Sequence, residues 1–234
     1  MKKIIVAFIL TIILLTNTIT ILAVEFPEMG MKIEVPEEYY DLKAGVDKND
    51  TKLTYYETVL KTTKDELKSQ YTQNGIVYNG ISSNLSKELI IAVIENARTK
   101  SNYHLASLND AEIEDVKQEI VNAANGAQKQ EQEVYEKNGI KYIYTIFKSG
   151  TTTIYQYYTI VNGRAITITL NSKYSNVKQE ELKEIVDTIQ FDEILEKPSG
   201  IVSNPILFVG IILVILIIVL VTIAIVRKTK NKEN

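Results

Sequence analysis

The side chains that could carry chemistry are few. His104 is the only histidine. An imidazole that catalyses or binds a metal needs an orienting partner or further ligands. Its neighbours Asn102 and Tyr103 supply neither, so His104 reads as a surface loop residue. Asp47-Lys48-Asn49-Asp50-Thr51 begins as a calcium loop begins. Such a loop needs glycine at its sixth position and glutamate at its twelfth. Lys52 and Thr58 stand there, and the segment reads as an exposed turn. Glu131-Gln132-Glu133 and Glu180-Glu181 are carboxylate clusters that could do acid–base work in a cleft. On a strand end and a helix face, carboxylates serve solvation. Tyr142, Tyr144, Tyr155, Tyr157 and Tyr158 are the most suggestive group. They are expected to pair across a sheet and pack under helices, with an exposed binding patch as the alternative. Tyr157 and Tyr158 are adjacent and must point to opposite faces. The absence of cysteine excludes disulfides, thiolate metal sites and a lipidated N-terminal cysteine. The glycines punctuate turns and form no phosphate loop. No catalytic, cofactor-binding or metal-ligating residue is assigned, and no cofactor is expected.

The elements that would position any site lie between two apolar ends. Met1-Lys2-Lys3 and the apolar stretch from Ile4 have the layout of a signal peptide over residues 1–23, with an uncleaved N-terminal anchor as the alternative. Ile21 is large for the position three before the cleavage site. Residues 205–226 contain no charge, and Thr222 is the only polar side chain after Gly210. About 20 apolar residues span a bilayer as a helix, so this segment predicts a C-terminal transmembrane helix. A basic tail follows over 227–234, beginning Arg227-Lys228, and marks the cytoplasmic side. Lys2 and Lys3 mark the same side for the first segment. Both readings of the N-terminus therefore place the middle of the chain outside the cell membrane. The Leu195-Glu196-Lys197-Pro198-Ser199-Gly200 stretch departs from a wall-sorting motif in spacing and lacks the threonine.

The chain has 26 basic and 29 acidic residues. Six of the basic residues (Lys2, Lys3, Arg227, Lys228, Lys230, Lys232) and one acid (Glu233) flank the apolar ends. Subtracting them leaves 20 basic and 28 acidic residues between Glu25 and Ser199, a formal charge of −8. Such a domain repels phosphates, which argues against a nucleic-acid partner.

Within the extracytoplasmic domain, 24–197, Met31 to Val35 reads as a strand closed by Pro36. Thr63 and Glu66 form a capping box for a helix that Gly75 ends. The apolar run within Glu88 to Glu95 suits a strand buried on both faces. A second helix opens at Asn109, with Ile113, Val116, Ile120, Val121 and Ala124 on one face and Asn125-Gly126 at its end. A four-stranded meander follows, over 133–137, 140–148, 153–161 and 164–171, with turns at Asn138-Gly139 and Asn162-Gly163. A last helix spans 178–189 on a stripe of Leu182, Ile185, Val186 and Ile189, and residues 198–204 form a linker.

The opening Met31-Lys32-Ile33-Glu34-Val35-Pro36, the strand Glu88-Leu89-Ile90-Ile91-Ala92-Val93, the close from Tyr158 to Thr169, and the helix ending in Gln190-Phe191 resemble the PsbP-like family. The resemblance covers most of the domain. It implies an α/β (α+β) fold: an α/β/α sandwich with a mostly antiparallel sheet, here with a C-terminal transmembrane helix added. A tryptophan common after the opening proline in that family is missing, and Tyr39 and Tyr40 stand in its place. No catalytic motif is among the matching residues. The resemblance implies a non-enzymatic domain that binds a protein, peptide or envelope component. The alternatives are an envelope-modifying hydrolase with a site assembled from distant residues, and a sensor subunit signalling through a membrane partner.

Overall fold

The computed structural model of the chain describes residues 21–124, 126–173 and 179–199. A hairpin opens it, β1 (Ile21–Phe26) and β2 (Met31–Pro36), joined by a 3-10 turn at Pro27–Met29. β3 (Tyr39–Asp41) leads into α1 (Leu42–Lys48), α2 (Leu53–Leu60) and α3 (Lys64–Gln73). A second hairpin, β4 (Ile76–Ser82) and β5 (Lys87–Ile94), is followed by α4 (Ala97–Asn102) and α5 (Asp110–Ala123). The meander comes next: β6 (Gln128–Lys137), β7 (Ile140–Ser149), β8 (Thr152–Val161) and β9 (Arg164–Ser172). α6 (Gln179–Asp187) and β10 (Gln190–Phe191) end the described chain.

Seven strands form one sheet in the order β3-β4-β5-β9-β8-β7-β6, and every neighbouring pair is antiparallel. The meander folds back so that its last strand lies on β5. β1, β2 and β10 make a separate small sheet. The period of two along each strand sorts side chains between the faces. Tyr142, Tyr144, Tyr157, Leu89, Ile91, Ile166 and Ile168 face Met31, Ile33 and Val35 of β2 and the stripe Leu182, Ile185 and Val186 of α6. The opposite face divides in two. Ile143, Phe147, Ile154, Tyr158 and Ile160 lie under Ile113, Val116 and Ile120 of α5. Ile76, Ile81, Ile90 and Ala92 lie under α1, α2 and α3. The mixed α/β architecture, with helices on both faces of an antiparallel sheet, agrees with the expectation.

Local chemistry explains the boundaries. Thr63 and Glu66 bond each other's backbone at the start of α3, and Asn109 and Glu112 do so for α5. Two of the meander's three two-residue turns have positive φ at both positions, Asn138 and Gly139, Asn162 and Gly163. That backbone matches the right-handed twist of the flanking strands. β6 is longer than expected, because all of β7 offers a partner and the pairing runs back to Gln128 opposite Lys148 through an irregularity at Lys129–Glu131. α1, α2, β3 and β4 were not expected as elements. α1 and α2 are short, and α2 leaves Tyr55 and Val59 exposed, so their apolar period is weak.

β1 begins inside the segment assigned to a signal peptide. Ile21, Leu22 and Ala23 pair with Pro36, Val35 and Glu34. Ile21 and Leu22 remain half exposed, whereas Val24 and Phe26 pack on the core. A cut after Ala23 would thus remove pairing but spare the packed part of the strand. Among the described residues no helix is long and apolar enough to cross a membrane. Residues 1–20 and the 205–226 span lie outside the described residues, as do the tail 227–234 and most of the linker.

Candidate functional site

The register of β5 sends Glu88 to the face of the sheet covered by α1, α2 and α3. Glu88 lies opposite Asn171 of β9 and Ile81 of β4. Asn79 sits two residues from Ile81 and so shares its face. Both carboxylate oxygens are held. Asn79 Nδ2 donates to Oε1 at 2.9 Å, and Asn171 Nδ2 donates to Oε2 at 3.2 Å. Tyr71, reaching down from α3, donates its hydroxyl to Asn79 Oδ1 at 3.1 Å. Asn171 is buried, with a relative exposure of 5%, and no group among the described residues donates to its Oδ1.

These groups line a cavity of about 60 Å³. Leu42, Leu60 and Leu67 form its helical wall, Ile81 and Ile90 its sheet wall, and Lys173 stands at its margin. Glu88 is half-buried and keeps accessible surface toward this void. Loss of hydration pushes the Glu88 carboxyl above the ordinary carboxylate range; the two amides and the charge of Lys173 pull it back only in part. The same burial, aided by the negative charge of Glu88, raises the Tyr71 phenol. The site therefore combines one costly acceptor with a lining of mixed polarity whose helical side is largely leucine.

The expected residues are distributed elsewhere. Tyr142, Tyr144, Tyr157 and Tyr158 are each 1% exposed or less, so packing accounts for them and no exposed patch forms. Tyr157 faces α6 and Tyr158 faces α5. Tyr155 packs at the edge of the α6-side cluster. Asp47 and Lys48 close α1, and Asn49 takes the left-handed conformation that turns the chain toward α2. Among the described residues no group of three His, Cys, Asp or Glu could hold a metal ion. Glu131 and Glu133 are exposed on the edge strand β6, as expected.

One reading needs correcting. Glu181 does more than solvate α6: Lys87 Nζ lies 3.0 Å from Oε2, and Tyr39 donates its hydroxyl to Oε1 at 2.7 Å. With Glu34, Glu37, Glu38 and Glu184 it rims a shallow hollow of about 570 Å³ floored by Ile185. His104 lies in the loop after α4, as expected, and both of its ring nitrogens are engaged. Its Nε2 bonds the Leu195 carbonyl at 2.8 Å, and its Nδ1 accepts the Asn162 N–H at 3.4 Å. The Glu88 site itself was missed. Its only local sign is a charge placed inside a strand otherwise buried on both faces.

No family model matches the sequence, and no curated protein matches it. Among solved structures the chain is similar to cyanobacterial PsbP (CyanoP) from Synechocystis, with 12% identity over 75% of this chain and 94% of that one, at a TM-score of 0.49. It is also similar to the Saccharomyces cerevisiae Ran-binding protein Mog1p, with 10% identity over 74% of this chain and 96% of that one, at a TM-score of 0.39.

Proposed function

We propose that this protein is a non-catalytic binding module, held at the outer face of a cell membrane by residues 205–226 with its C-terminus in the cytoplasm, and that it recognises a protein, peptide or envelope component. The observation that carries the binding reading is the Glu88 pocket. It sets a half-buried acceptor beside leucine and isoleucine side chains, an arrangement that can orient one small polar group of a partner. Hydrolysis by paired carboxylates is less well supported, because a second acid would have to stand across the pocket from Glu88. Glu88 has amides for neighbours there. The acids that do cluster lie on the other side of the sheet, around an open hollow whose Glu181 is occupied by Lys87 and Tyr39.

Cross-linking on intact cells tests the reading. A photoreactive residue at Thr62, on the pocket lining, should capture a discrete partner. Capture should fall with Glu88→Gln. Capture indifferent to that substitution would remove the pocket from the binding function.

A further inference from the structure

We infer that the Glu88 pocket receives the terminal ammonium of a lysine side chain presented by a basic protein partner. This assignment rests on the binding reading above and names the group bound. The charge would sit at the carboxylate, and the methylenes would lie along Leu60 and Leu67. Four observations converge on a cation of this shape. An ionised carboxylate only accepts hydrogen bonds, and it has about four lone-pair sites. Asn79 and Asn171 fill one on each oxygen. Second, no ion pair forms at Glu88 among the described residues; Lys173 influences it only through space. A half-buried charge answered by two neutral amides and by Lys173 only through space remains under-compensated, and a cation brought to it relieves that cost.

Third, the cavity is small, with a leucine and isoleucine wall on one side and polar side chains on the other; Lys87 and Lys173 also line it, but Lys87 is engaged by Glu181. About 60 Å³ accommodates roughly four water-sized probes. That suits a linear alkylammonium better than the broad, planar guanidinium of arginine. Fourth, the surplus of 28 acids over 20 basic residues gives the domain a field that draws basic partners.

The test uses the full-length chain in detergent micelles. NMR shifts of the Leu60, Leu67 and Leu85 methyl groups are followed during titration with n-butylammonium, n-butanol and butyrate. Saturable shifts are expected with n-butylammonium alone. Nα-acetyl-lysine methylamide should reproduce them, and its Nε-acetylated form should not. Glu88→Gln should weaken n-butylammonium binding about tenfold or more, the loss expected for a hydrogen bond to a charged group. Lys173→Met should leave it unchanged or tighten it, because a competing cation is removed.

Equal binding of n-butanol, or butyrate binding that Lys173→Met abolishes, would overturn the ammonium while leaving a binding pocket. Binding of n-butylammonium but not of the lysine derivative would overturn the side-chain origin. Shifts from none of the probes would overturn both this assignment and the binding reading. The comparison of probes on the unaltered protein decides the matter even if Glu88→Gln fails to fold.

Discussion

His104 shows how a single side chain acquires a role from its surroundings. Its two ring nitrogens hold Asn162 and Leu195, and the Asn162 amide grips the same segment, donating to the Glu193 carbonyl at 2.9 Å and accepting the Leu195 N–H at 2.8 Å. The four groups clip the exit segment of the domain to the β8–β9 turn. His104→Ala should speed hydrogen exchange at the Leu195 amide and change global stability by no more than about 1 kcal/mol, the worth of an ordinary hydrogen bond. Unchanged exchange at Leu195 would refute the clip. Glu119 makes a second case. Burial against the sheet pushes its carboxyl up to about 8, against the opposing pull of Arg98 Nη1 at 3.0 Å, and its buried Oε2 has no partner among the described residues. A carboxyl raised above its ordinary 4.5 stabilises the fold at low pH, and that contribution is lost as pH rises through about 8. The urea midpoint of the unaltered protein should carry this fall between about pH 5 and pH 8, and Glu119→Gln should flatten it. An identical pH profile in the variant would show that Glu119 does not titrate with folding.

At the scale of elements, close approach and turn geometry make separable demands on glycine. Gly75 joins α3 to β4 at φ +62°, and a Cβ there would meet the Val93 carbonyl oxygen at 2.2 Å. Gly139 has φ +75° in the β6–β7 turn, with open space around it. Gly139→Ala should cost only the backbone strain, about 1–2 kcal/mol. Gly75→Ala should cost distinctly more, because backbone must move as well; equal denaturation midpoints for the two would refute the steric account. α6 is held by its apolar stripe, with Ile185 only 3% exposed. Ile185→Ala should cost about 2–5 kcal/mol in a denaturation experiment, as for other truncations that leave a core cavity. A smaller loss would mean that α6 is not a structural cover of the sheet. These elements were the readable ones: caps, turns and apolar stripes act over a few residues, and α3, α5, α6 and the meander appear where those signals lie. α1 and α2 escaped because half of what makes them helices is the sheet beneath them, which a short sequence window does not contain.

For the whole molecule, the decisive quantity is where charge and apolar length are placed. If residues 205–226 anchor the chain, the full-length protein should sediment with membranes, and removal of 205–234 should release it. Protease added to intact cells should digest the domain and spare the tail. Full-length protein free in the medium would contradict the anchor. The acidic excess predicts that any basic partner binds more weakly as ionic strength rises, with the association rate falling most. What the sequence determined by itself was local or compositional: the antiparallel meander, the caps, the polarity of the strands, and the expectation of an outer domain between two apolar ends. Only the tertiary structure decided the site. Glu88 and Asn171 are 83 residues apart, and their meeting depends on β9 pairing with β5 in one register. A slip of one residue would turn the carboxylate to the other face, and no local periodicity records which register wins.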